Sequence, residues 1–146
     1  MTLTLAGDGE ESANLKAQVQ RLGLGEAIRF IGHVKARYGF SKGSLLVVPS
    51  RGDSMPYVVI EAGAAGIPMV AANVGGIPEI FDSHNDALFA PNIPAAMADA
   101  IEGALENPAA AQERAKSLRE RIFLHFSQKA MVEGVLAGYR DAFANR

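Results

Sequence analysis

The chain has 146 residues, 49% of them hydrophobic and 21% charged, with a formal net charge of −2. That is one ordinary domain, residues 1–146, with the composition of a soluble globular protein and enough apolar side chain to bury a core. No basic run or stripe occurs, which excludes nucleic acid as a partner but leaves small phosphorylated ligands open, since these need only a few donors. Without cysteine there are no disulfides or thiolate metal sites. His33, His84 and His125 are scattered with no ligand spacing, so no metal site is expected. Apolar runs fall short of the roughly 20 residues a membrane span needs, and Met1 to Ala6 lacks the charged start of a signal peptide. The expected location is cytoplasmic.

Strand-like and helix-like stretches alternate along the chain. Thr2 to Ala6 is a short strand ending at Gly7-Asp8-Gly9. Glu10 to Leu22 places Leu15, Val19 and Leu22 at helical spacing and stops at Gly23 and Gly25. Ala27 to Ile31 is a second strand, closed by Gly32, and a weak helix spans Ala36 to Lys42. Ser44 to Val48 is the clearest buried strand. Met55 to Ala65 follows as a helix with Gly66 as its stop. Ile67 to Ala72 is a further buried strand leading into Gly75-Gly76, and Pro78 suits the first turn of a short helix. Asp86 to Ala90 is the last strand. Helices over Pro94 to Glu106, Pro108 to Leu124 and Ser127 to Ala144 complete the chain, with Asn107-Pro108 as a corner.

Strands alternating with helices predict an α/β fold, a Rossmann-like, doubly wound parallel sheet of about five strands with a helical C-terminal tail. Such sheets bind ligands beyond the carboxyl ends of their strands. Attention therefore falls on Gly7-Asp8-Gly9, Gly32-His33-Val34, Ser50 to Pro56 and Asn73 to Pro78.

In the third of these loops, Asp53 stands at the mouth of a helix and Glu61 about two turns further along. Two carboxylates bracketing free helix amides suit a polyol, whose hydroxyls donate to carboxylates and accept from amides. The alternative is that Asp53 or Ser54 is the helix N-cap and Glu61 a solvated charge. Val58, Val59, Ile60, Ala62 and Ala64 surround Glu61, and a charge on so apolar a helix calls for a partner or ligand. Gly75-Gly76 before a helix start can bring backbone amides close to a phosphate, or can be a tight turn. Gly7-Asp8-Gly9 fails as a dinucleotide loop: Ser12 replaces its third glycine, and Asp8, Glu10 and Glu11 repel a pyrophosphate. Arg37 and Lys42 read as solvated charges and His33 as a turn residue. His125, between Phe123, Leu124 and Phe126, reads as packed on the core, as does the stripe Met131, Val135 and Tyr139.

Taken in order, these blocks resemble the C-terminal, donor-binding domain of retaining GT-B glycosyltransferases of the family 4 type. The resemblance rests on Leu5-Ala6-Gly7-Asp8-Gly9, Arg29 to Val34, Val48-Pro49-Ser50, Pro56 to Ala62, Ala65 to Ala71 and Val74 to Glu79. Phe126-Ser127 and Tyr139 fit the closing helices. The wording from Pro56 to Ala62 is most similar to bacterial polysaccharide-synthesis members. The resemblance implies one half of a GT-B fold and transfer of a sugar from a UDP- or GDP-sugar, with retention, to a glycan or lipid-linked acceptor. No cofactor or metal is implied; the nucleotide sugar is the donor substrate.

By the same resemblance Asp53 and Glu61 form the family's pair of acids. Asp53 with the amides around Ser54, Met55, Pro56 and Tyr57 would hold the donor sugar and diphosphate. Glu61 would hold the ribose. The loop of Gly32, His33, Val34 and Lys35 would border the base, and Gly75 and Gly76 would line the phosphates. The family usually has glutamate at the position of Asp53, one methylene longer. Its arginine and lysine on the first strand–helix unit have no counterpart, and Arg37 and Lys42, equally spaced elsewhere, do not inherit their role. The chain is thus expected to lack that unit and an N-terminal acceptor domain and to be inactive alone. The resemblance leaves room for peripheral membrane association of a full-length enzyme. Two alternatives stand beside it: a nucleotide-sugar 2-epimerase-like domain and a non-catalytic interaction module.

Overall fold

The computed structural model describes residues 1–82 and 85–144; His84 lies outside them. Five parallel strands and seven α-helices are described, grouped in two compact units, Met1–Ser44 and Leu45–Arg146.

In the first unit β1 (Leu3–Leu5), α1 (Ser12–Arg21), β2 (Ile28–Phe30) and α2 (Ala36–Phe40) follow in order. β1 and β2 pair in parallel, with Leu3 opposite Ile28 and Leu5 opposite Phe30. The pairing continues past the strand ends: the amide of Ile31 donates to Leu5 at 3.0 Å and that of Gly7 to Gly32 at 2.8 Å. α1 ends as its sequence requires. Gly23 takes φ +67, and the amides of Gly23 and Leu24 donate to the carbonyls of Gln20 and Val19, satisfying the last turn. Val19 is the buried side chain of that helix.

The second unit holds β3 (Leu46–Val48), α3 (Tyr57–Ala64), β4 (Met69–Ala72), α4 (Ile77–Phe81), β5 (Leu88–Phe89), α5 (Pro94–Glu106), α6 (Pro108–His125) and α7 (Gln128–Ala144). Its strands run parallel in the order β3-β4-β5. β4 is central and buried at every residue, the condition of a parallel strand covered on both faces. Its pleat sends Val70 and Ala72 into a cluster with Phe89, Ala104 and Ala111, packed by Met97 and Ile101 of α5. β3, expected as the clearest buried strand, is at the edge of this unit's sheet and mostly half-buried.

α3 and α6 are packed closely because residue 63 is glycine: a Cβ there would overlap Cδ1 of Ile122. Gly66, at φ +69, ends α3, with amides of Gly66 and Ile67 donating to Gly63 and Ala62. Asn107 accepts from the amide of Ala110 at 3.2 Å and caps α6, so the expected corner at Asn107-Pro108 is present. Two readings are corrected here. His125 is exposed in the last turn of α6, where its neighbours Phe123 and Leu124 also face out. Met131, Val135 and Tyr139 do form a stripe on α7, but it is exposed.

Among the described residues, no helix is long and apolar enough to cross a membrane. Nor do they contain a group of three or more His, Cys, Asp or Glu placed to hold a metal ion.

Candidate functional site

β3 ends at Val48, and an irregular segment leads to Pro56, which occupies the N-cap position of α3 with extended backbone (φ −72, ψ 114). The helix therefore begins at Tyr57, two residues later than the sequence pattern suggests. Neither Asp53 nor Ser54 caps it: no side-chain cap bond exists, so the N-cap alternative for these residues is set aside. The amides of Val59 and Ile60 both donate to the carbonyl of Pro56, at 3.1 and 3.4 Å. Those of Tyr57 and Val58 make no hydrogen bond among the described residues. The first free donors of the helix itself are thus two to three residues beyond Met55.

After β4 the chain turns at Val74 and enters α4 through Gly75 and Gly76. This loop lies directly on the segment before α3. The amide of Gly76 donates to the carbonyl of Asp53 at 3.2 Å. A Cβ on Gly75 would overlap that same carbonyl oxygen, and one on Gly76 would overlap the carbonyl oxygen of Ser54. Gly75 also holds φ +53, where a side chain is strained. Both glycines are therefore required by close backbone approach. Asp53, Ser54, Gly75 and Gly76, distant in sequence, are brought together, with Asp53 half-buried beneath the contact.

Glu61 is on the same helix but not in a closed apolar setting. α3 buries Val59, Ala62 and Gly63 and turns Tyr57, Val58 and Glu61 outward. The apolar neighbours of Glu61 in sequence do not enclose it: the outer face of the helix is open, and Glu61 stands there one turn from Tyr57, which is 79% exposed. Neither Asp53 nor Glu61 has a hydrogen bond to its carboxylate or an ion pair among the described residues.

Gly32, His33 and Val34 belong to the first unit. Gly32 takes φ +65 and accepts from Gly7, His33 is exposed, and Val34 is half-buried, in reach of Gly39. That unit also contains a cavity of about 260 Å³ lined by Leu5, Gly7, Asp8, Glu11, Leu15 and Phe30 among others. Its Gly7-Asp8-Gly9 loop is one that the sequence marks for attention, but none of its lining residues is among those the resemblance assigns to the donor.

The interlock of the two loops was not legible in either segment alone, although two adjacent glycines after a buried strand were its one local sign. Arg121 carries no sequence signal of its role. It reaches from α6 to the C-terminal end of α4, donating to the carbonyls of Ile80 (3.1 Å) and Glu79 (2.9 Å) and pairing with Asp82 at 3.1 Å. Asp82 itself holds φ +51, so this guanidinium secures a strained corner.

The family described as glycosyl transferases group 1 matches residues 1–107. The chain belongs to the group 1 glycosyl transferases. It is 32% identical over 145 residues to a glycogen synthase of Mycobacterium tuberculosis, covering 97% of this chain and 35% of that one. Among solved structures, a sucrose-phosphate synthase of Thermosynechococcus elongatus superposes with a TM-score of 0.80 at 30% identity, over 99% of this chain and 39% of its own. The Anabaena protein Alr3699/HepE, in complex with UDP, gives 0.85 at 22% identity, over 97% and 41%. The fold is thus that of one half of a GT-B glycosyltransferase, and this group 1 chain spans little more than a third of the length of these relatives.

Proposed function

We propose that the paired loops of the second unit bind the donor nucleotide sugar of a retaining glycosyltransferase. The observation that carries this reading is the contact of Gly75 and Gly76 with Asp53 and Ser54, which gathers a carboxylate, a glycine turn and a helix mouth with two free amides. The solved relatives with UDP and with UDP-glucose support UDP-sugars as the first donors to try.

On this reading the amides of Tyr57 and Val58, at the positive end of α3, take diphosphate oxygens and stabilise the charge that grows as the glycosidic bond to phosphate breaks. Asp53 accepts from a sugar hydroxyl. Its backbone is held by the amide of Gly76, which donates to its carbonyl. Glu61, outward on the same helix face as Tyr57, accepts from the ribose hydroxyls. The acceptor would be held by a further domain, and the reaction would belong to the assembled enzyme.

Calorimetry with UDP, GDP and their sugars tests the reading. Binding of at least one at millimolar concentration or below is expected, weakened about tenfold in Glu61→Ala with an unchanged thermal transition. A folded chain that binds none of them refutes the site, and an unchanged affinity in Glu61→Ala refutes its role at the ribose.

A further inference from the structure

Tyr57 is the first residue of α3, and apart from Met1 no large apolar or aromatic side chain among the described residues is more exposed. The helix gives no reason for it. Tyrosine is an indifferent helix former, and it carries no charge to offset the positive end of the dipole, where proline or an acid is favoured. Its hydroxyl makes no hydrogen bond among the described residues. Tyr38, by contrast, has the Lys42 ammonium 4.1 Å from the centre of its ring. What Tyr57 does have is Glu61 one turn on. Side chains at i and i+4 are neighbours on a helix, about 5–6 Å apart at Cβ, and both lean toward its N-terminus. The Glu61 carboxyl group and the Tyr57 ring therefore border one stretch of open helix surface, which leads to the free amides of Tyr57 and Val58.

We propose that Tyr57 is a recognition residue for the nucleoside part of the donor, its ring packing against the carbon face of the ribose whose hydroxyls Glu61 accepts. The inference rests on the donor-site reading above and adds to it a contact that reads the sugar of the nucleotide independently of its phosphates. A ribose offers a protein two different surfaces, an edge of hydroxyls and a face of C–H bonds. A carboxylate accepts from the first, and the negative face of an aromatic ring attracts the second. Tyr57 and Glu61 supply both on one side of one helix, a turn apart. The order along the helix, acid then ring then free amides, is the order within a nucleoside diphosphate of hydroxyl edge, carbon face and phosphate. The contact uses the ring alone, so the phenol hydroxyl is dispensable and phenylalanine should serve as well as tyrosine.

Calorimetry tests this with whichever of UDP and GDP the parent binds more tightly, and with inorganic pyrophosphate, which has no ribose. Tyr57→Phe should bind the nucleotide as the parent does, and Tyr57→Ala about fivefold more weakly. Pyrophosphate should bind the parent and both variants equally. A second readout is independent of affinity. A ring stacked on the ribose shifts the ribose proton resonances of the bound nucleotide upfield; the shift should be present in the parent and in Tyr57→Phe and lost in Tyr57→Ala. Because Tyr57 is exposed at the end of its helix, both variants should keep the parent's thermal transition. A Tyr57→Ala variant that binds the nucleotide as tightly as the parent overturns the inference, and is the result expected if the ring faces a further domain instead. Pyrophosphate binding that weakens in step with the nucleotide also overturns it, since the change would then act through the helix mouth. So do ribose protons that are unshifted in the parent. A parent that binds neither nucleotide removes the donor site and this inference together, whereas nucleotide binding indifferent to Tyr57 removes this inference alone.

Discussion

After β1 the chain runs through Gly7-Asp8-Gly9, and after β4 it runs through Val74-Gly75-Gly76. Both are glycine turns at the carboxyl end of a parallel strand with a helix to follow, and in sequence either could face a phosphate. In the fold they serve different ends. A Cβ at Gly7 or Gly9 would meet nothing within 4 Å, while one at Gly75 or Gly76 would run into the backbone of Asp53 and Ser54. The first loop is open on its outer side; the second is one half of a two-loop contact. Glycine count and strand context do not separate the two cases, because the reason for the second lies about twenty residues upstream in sequence and is visible only when β3 and β4 pair.

The comparison breaks most decisively at Gly75. Gly75→Ala must place a methyl on the Asp53 carbonyl while adopting φ +53, and neither neighbour is a flexible side-chain end that could swing away. A loss of about 3 kcal/mol in urea unfolding is expected, with donor binding abolished even where the variant stays folded. Were Gly75→Ala to bind nucleotide normally, the interlock would not matter to the site.

Gly63 extends the same logic to the core. Gly63→Ala gains helix propensity but drives a methyl against Cδ1 of the buried Ile122, for a net loss of about 1–2 kcal/mol. Here the obstacle is a side-chain end, so it can be removed. Ile122→Val, destabilising alone, should be tolerated better together with Gly63→Ala than the separate losses predict. Additive losses would mean that the α3–α6 contact adjusts elsewhere. A smaller effect is expected for Arg121→Met: about 1 kcal/mol, from loss of the donors to Glu79 and Ile80, read from the urea midpoint.

Much of the fold was legible because local chemistry and tertiary need agree. α5 spans Pro94–Glu106 as its pattern requires, and Gly66 ends α3 at the expected place. Less of the candidate site was legible. Pro56 delays the start of α3 to Tyr57, so of the amides expected from Ser54 to Tyr57 only that of Tyr57 belongs to the helix, and Val58 joins it. Glu61 drew notice because its neighbours are apolar, yet apolar composition does not say which face is covered. The same gap explains α7. Met131, Val135 and Tyr139 have the spacing of a core face, and spacing alone specifies that a face is apolar without specifying what lies against it.

The smallest effects belong to the open loop, and they divide its two glycines. Gly7 holds φ +134, a conformation that a side chain resists, so Gly7→Ala should cost about 1 kcal/mol through strain alone. Gly9 has no positive φ and equally empty surroundings. Gly9→Ala should therefore lie within about 0.5 kcal/mol of the parent, on the stabilising side if the gain comes from a less flexible unfolded chain. Neither change should alter nucleotide affinity, since the proposed donor contacts lie elsewhere. A Gly9→Ala variant that loses binding while keeping its urea midpoint would reverse the comparison and give the first loop a part in holding the ligand.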